Sequence, residues 1–83
     1  MKFLAEIDVM PMKEILDPQG KAVTGSMMNL GLSTIQNVRI GKHITLEIEA
    51  ETKEIAHSKV DEACKKLLAN LIMEQYHFEL KEI

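Results

Sequence analysis

The chain has no tryptophan, one tyrosine and two phenylalanines in 83 residues. A module that reads single-stranded RNA needs aromatic side chains stacked on bases along its central strands, and the outward strand positions inferred below carry none. Thirteen acidic residues outnumber ten lysines and arginines, a formal net charge of −3. That balance gives no electrostatic reason to expect nucleic acid. Cys64 is alone, which excludes an intrachain disulfide and suits a reducing compartment. No apolar run approaches the ~20 residues that span a bilayer. Met1-Lys2 is followed by Glu6 and Asp8, unlike the apolar core of a signal peptide, so a cytoplasmic location is expected. No linker, repeat or low-complexity segment interrupts the sequence, and residues 1–83 read as one domain.

A hydrophobic content of 46% with 28% charged residues is that of a folded chain. A domain this small buries a modest fraction of its surface, so partner contacts would add to its stability. Phe3, Ala5, Ile7 and Val9 alternate with Lys2, Leu4, Glu6 and Asp8, a period of two that predicts a strand with one buried face. Pro11 ends it, and a loop from Met12 to Leu16 leads to Asp17-Pro18. Asp17 can cap a helix by accepting from its first N–H groups, and Pro18 has no N–H to lose at the first helical position. The helix runs to about Leu30, with Val23, Met27 and Leu30 as its inner stripe and Gly31 as its left-handed terminator.

A second strand is expected over Thr34 to Ile40 and a third over His43 to Ala50, joined by a Gly41-Lys42 hairpin. Thr52 is a plausible N-cap for a second helix, whose stripe reads Ala56, Val60, Ala63, Cys64, Leu67, closed by a left-handed Asn70. Tyr76, Phe78 and Leu80 alternate in a last strand. The order β-α-β-β-α-β implies an α+β, ferredoxin-like sandwich: one antiparallel sheet with two helices on one face.

The chemical candidates are few. His57 and Asp61 stand at i, i+4 with Glu54 one turn earlier, a spacing that could hold a metal. A solvated polar face opposite the apolar stripe is the simpler reading, because a metal site needs converging ligands and a supporting shell. Cys64 falls on the buried stripe, where a thiol packs rather than reacts. His43 and His77 have no evident partner. On the outer sheet face Glu6 and Asp8 would lie beside Glu47 and Glu49, an acidic surface relieved by cations of this chain or of a partner. No catalytic residue, metal or cofactor is expected.

Four stretches carry a resemblance: Ile15 to Val23 with its Asp-Pro-Gln-Gly, Val38 to Lys42, Leu46 to Ala50, and Cys64 to Asn70. In this order and at this length the chain resembles the PurS family, the small subunit of phosphoribosylformylglycinamidine synthase. Leu71 departs from the family pattern, where proline is frequent after the Asn. The resemblance implies a non-catalytic subunit that joins a synthetase and a glutaminase in purine biosynthesis. Those partners convert formylglycinamide ribonucleotide, glutamine and ATP to formylglycinamidine ribonucleotide, glutamate, ADP and phosphate. It further implies assistance to ammonia transfer and a homodimer or tetramer, with no activity of the isolated chain.

Asp17, Gln19 and Lys21, with Arg39 and Lys42, are the candidate interface residues. Arg39 suits a bidentate contact with a partner's carboxylate. One alternative is a free-standing regulatory domain of the same fold that binds a metabolite. An acylphosphatase-like enzyme is disfavoured, because the loop Met10 to Leu16 offers only Lys13 where a phosphate-cradling arginine is needed.

Overall fold

The computed structural model describes all residues of 1–83 except Glu14, Ile15 and Leu16. Its elements are β1 (Lys2–Pro11), α1 (Pro18–Asn29), β2 (Lys42–Glu49), α2 (Lys53–Ala63) and β3 (Glu74–Glu82), with a π-helical turn at Cys64–Leu68 prolonging α2. The strands form one antiparallel sheet in the order β2-β1-β3. The strict alternation of β1 decides the layering. Phe3, Ala5, Ile7 and Val9 are buried under α2, which contributes Ala56, Val60 and Cys64 to the core. Ile44, Leu46 and Ile48 of β2 and Tyr76, Phe78 and Leu80 of β3 flank that core, half-buried.

Both helix starts form as their sequences predict. The Asp17 carboxylate accepts from the Gly20 N–H at 3.0 Å with Pro18 at the first helical position. The Thr52 hydroxyl accepts from the Ile55 N–H at 3.2 Å. At the end of α1, Gly31 is left-handed with φ 78°. The Leu32 N–H donates to the Met27 carbonyl at 2.8 Å and Gly31 to Met28 at 3.2 Å, the paired bonds of a Schellman ending.

The α+β class with one antiparallel sheet and two helices holds, but the strand expected over Thr34 to Ile40 does not form. Residues 35–40 carry no regular structure, so the described order is β-α-β-α-β. The segment's N–H groups are spent elsewhere: Val38 donates to Thr24 Oγ1 and Ile40 to Asp17 Oδ2, each at 3.0 Å. Asn37 has φ 57°, which breaks the extended run. Gly41 is not a hairpin turn either. A Cβ there would overlap the Val9 carbonyl oxygen and the Met10 sulfur, so glycine permits the loop to press against β1.

Two further corrections concern the helices. α1 does not cover the sheet. None of its residues joins the core, and only Gly20 within it is buried. Leu30, expected on an inner stripe, is 72% exposed. At the end of α2 the π-helical turn inserts one extra residue and rotates the residues beyond it by about 100°. Leu68 is therefore half-buried against the core while Leu67, expected inside, is 82% exposed. Asn70 does not close this helix in the left-handed conformation. Its side-chain oxygen instead accepts from Ile72 N–H at 3.1 Å, turning the chain towards β3.

Candidate partner interface

The predicted interface residues separate into two groups. Asp17 and Arg39 do work inside the fold. Asp17 uses one carboxylate oxygen for the cap of α1 and the other for Ile40, so it pins the 38–40 loop to the helix. Those backbone N–H bonds, Gly20 first and Ile40 second, hold its carboxyl below the usual range, and Arg39 adds a smaller attraction. The Arg39 guanidinium donates to the Pro11 carbonyl at the end of β1. It is half-buried rather than free. Thr24 completes the junction: its hydroxyl donates to the Gly20 carbonyl at 2.9 Å while accepting from Val38. Gly20 is required there, since an added Cβ would overlap the Val38 carbonyl oxygen.

Gln19, Lys21 and Lys42 are exposed. The first two ride on the opening turn of α1, and Lys42 begins β2 opposite Val9. The Asp17–Ile40 and Arg39–Pro11 bonds thus gather the opening turn of α1, the 38–40 loop and the end of β1. The gathering is legible in sequence only as separate motifs, because the Asp17–Ile40 bond spans 23 residues.

The outer sheet face is less repulsive than its composition suggests. Glu6 faces Thr45 and Asp8 faces His43 on β2, so no carboxylate meets another across that pair. Asp8 Oδ1 lies 2.6 Å from His43 Nδ1, and Lys2 reaches Glu47 at 2.9 Å. His77, on the other side of Asp8, approaches Glu79 at 3.9 Å. The partner of His43 lies 35 residues away in sequence, while that of His77 is two residues along its own strand. The like-charge contact falls instead between Glu6 and Glu79, partners on β1 and β3.

The candidate metal triad does not converge. Asp61 accepts from the Tyr76 hydroxyl and pairs with Lys65 at 2.9 Å. The Tyr76 bond, with Lys65 second, lowers the Asp61 pKa, and the same bond pushes Tyr76 up to about 12. His57 lies against Phe78, with ring centroids 4.7 Å apart. These residues tie α2 to β3. Among the described residues, no three His, Cys, Asp or Glu side chains are placed to hold a metal. Cys64 is fully buried, and burial raises its thiol pKa.

What the surface does offer is apolar area. Met28, Leu30, Leu32 and Ile35 are exposed along the end of α1 and the loop after it, and Leu67, Leu71, Ile72 and Met73 around the turn into β3. Sequence reasoning misplaces Leu67, because helical periodicity assigns it to the core. Apolar patches of this kind mark surfaces that meet other proteins.

Fold and surface together define a small α+β protein of ferredoxin-like architecture, built to contact other chains. Residues 4–82 match the family model PurS, described as phosphoribosylformylglycinamidine (FGAM) synthase. The chain is 39% identical over 71 residues to the phosphoribosylformylglycinamidine synthase subunit PurS of Bacillus subtilis, covering 86% of this chain and 83% of the relative. A solved structure of B. subtilis PurS superposes with a TM-score of 0.88 at 36% identity, covering 96% of this chain and 99% of that one. A chain in the structure of PurLQS from Thermotoga maritima gives a TM-score of 0.88 at 33% identity, with 98% and 99% covered. The chain belongs to the PurS family.

Proposed function

We infer that this chain is the small, non-catalytic subunit of a phosphoribosylformylglycinamidine synthase, and that it assembles with a synthetase and a glutaminase subunit. The observation that carries this is the near-complete match to a chain of the PurLQS structure. The surface supports it, since the exposed apolar side chains lie in two separate stretches of sequence, enough for more than one partner. Gln19, Lys21 and Lys42 belong to the assembly surface, while Asp17 and Arg39 support it from within by holding the loop. The chain also self-associates as a homodimer or tetramer. It works in the cytoplasm, where its reaction belongs and where a lone thiol stays reduced. No described helix is long and apolar enough to cross a membrane.

The test is reconstitution. Mixed with synthetase and glutaminase subunits of the same source, the chain should co-elute with both and restore glutamine-dependent amidine formation. A synthetase–glutaminase pair that is fully active with glutamine in the chain's absence would refute the assignment.

A further inference from the structure

The end of α2 carries signals for two packings. Up to Cys64 the helix is fixed, because Ala56, Val60 and Cys64 are buried in the core. From Glu74 onward β3 is fixed as well. It pairs with β1 along its length, Tyr76 bonds to Asp61, and Phe78 lies against His57. Neither anchor depends on residues 65–73. Between them stands a single π-helical turn, closed by the Ala69 N–H on the Cys64 carbonyl at 3.0 Å. Turns of this kind are rare, and they occur mostly at functional sites.

The two packings differ by one residue. In the π register Leu68 packs against the core, Ala69 is buried and Leu67 is 82% exposed. An α-helical continuation changes the phase by about 100°, so that Leu67 extends the stripe of Val60 and Cys64 and takes the place of Leu68. The connection to β3 then gains one residue.

Each register has its own support. The π register buries the Ala69 methyl and uses Asn70 in a sharp turn. The Asn70 side-chain oxygen accepts from the Ile72 N–H at 3.1 Å, and the Asn70 N–H donates to Glu74 Oε1 at 2.8 Å. The α register keeps regular helical bonds, and Asn70 can end it in the left-handed conformation that asparagine tolerates. The polar face does not choose between them. Lys65 with Asp61 and Lys66 with Glu62 are i, i+4 pairs, at home on an ordinary helix. The core place does not choose either, since it receives a leucine in both cases and the apolar area buried is nearly equal.

We propose that residues 65–73 form a two-register switch: the π register displays Leu67 on the surface, and a minor α register withdraws it into the core place held by Leu68. Leu67 joins the exposed Leu71, Ile72 and Met73 only in the first. A contact made to Leu67 is therefore available in one register alone. A choice of packing inside the fold becomes control of a surface.

The test begins with methyl and amide relaxation dispersion on the whole unaltered chain, which detects a minor state of about 0.1–10%. Residues 65–73, the Leu67 and Leu68 methyls included, should exchange at one common rate, with Val60 and Phe78 silent. Leu67→Lys cannot occupy the core place, so the exchange should vanish while the fold, whose core does not use this side chain, stays intact. Ala69→Asp charges a residue that the π register buries, and should make the α register the major one. The Leu67 methyls should then gain the cross-relaxation contacts to the core that the Leu68 methyls lose. Leu68→Asn gives the same push from the core side and is read in the same way. Absence of exchange in the unaltered chain, or exchange that persists in Leu67→Lys, would overturn the switch. So would Leu67 methyls that stay outside the core in both Ala69→Asp and Leu68→Asn, or unfolding of both variants in place of a change of register.

Discussion

Two glycines in α1 should respond to the same substitution with opposite signs. Replacing glycine by alanine inside a helix gains about 0.5–1 kcal/mol, because alanine has less backbone freedom to lose on folding. Gly25 should show that gain: a Cβ there has no neighbour within 4 Å. Gly20 should not. Its Cβ would overlap the Val38 carbonyl oxygen, which is backbone and cannot rotate away, and the Asp17 carboxylate that caps the helix.

Relief requires the 38–40 loop to lift from α1. That lengthens the Val38–Thr24 bond, now 3.0 Å, and the Asp17–Ile40 bond with it. Forced overpacking costs about 1–3 kcal/mol, and a lost neutral hydrogen bond about 1 kcal/mol. Against the alanine gain, the net for Gly20→Ala is a loss of about 1–3.5 kcal/mol. For a domain of this size 1 kcal/mol moves the midpoint by about 4–8 °C. Thermal unfolding followed by circular dichroism, at one fixed chain concentration because association shifts the midpoint, should place Gly25→Ala above the unaltered chain and Gly20→Ala below it. A Gly20→Ala midpoint at or above that of the unaltered chain would show that the loop does not seat on the helix.

The remaining predictions concern the end of α2 and the titrating groups. Leu67→Ala should cost under about 0.5 kcal/mol, whereas Leu68→Ala should cost about 1–2 kcal/mol; urea midpoints in the reverse order would refute the π-helical register. Folding holds the Asp17 carboxyl below its ordinary 3.8, so its contribution is present above that pH and lost as pH falls through the lowered value. Asp17→Asn should therefore flatten the acid limb of the stability curve, and an unchanged limb would count against the two hydrogen bonds that Asp17 accepts from Gly20 and Ile40. Tyr76 behaves oppositely: its pKa is raised from 10.0 to about 12, so the stability it supplies is present below pH 10 and lost as pH rises through the higher value. Phenolate absorbance should rise late in the native chain, and Asp61→Asn should bring the rise back towards 10.0; a native titration already near that value would show that the Tyr76–Asp61 bond is absent.

Local signals in the sequence are strong wherever a residue's structural role is settled by its near neighbours. The alternation of β1, the Asp17 and Thr52 caps, the Gly31 ending and the stripe Ala56, Val60, Cys64 all depend on contacts within a turn or a strand, and all form. Thr34 to Ile40 fails as a strand for the converse reason. Val, Ile and Thr there fit a pleated surface, but β-propensity reports packing rather than backbone preference. The backbone donors of Val38 and Ile40 go to side chains 14 and 23 residues away. No short window on the sequence contains both partners. The Pro11 carbonyl that Arg39 binds is likewise out of reach of a local reading, 28 residues off.

The misplacement of Leu67 is of a different kind, and it bears on the assembly. Leu67 and Leu68 are adjacent, so an α-helix continued from Cys64 puts the first inside and a π-helical turn puts the second inside. Periodicity alone favours the α-register, because Val60, Cys64 and Leu67 keep the spacing of one helical face. What decides otherwise is the exit of the chain. Ala69, the first residue beyond the turn, is buried, and its N–H closes the wide turn on the Cys64 carbonyl at 3.0 Å. Asn70 then starts the sharp turn that brings Glu74 opposite Pro11 on β1. Burying the Ala69 methyl at that point fixes the phase of the residues before it, and Leu67 is expelled. The same geometry places Leu67 in the sequence neighbourhood of the exposed Leu71, Ile72 and Met73. The turn that frustrates the simple helical pattern thus assembles the second apolar patch, and a chain that must meet partners other than its own copy has a use for the leucine its core gives up.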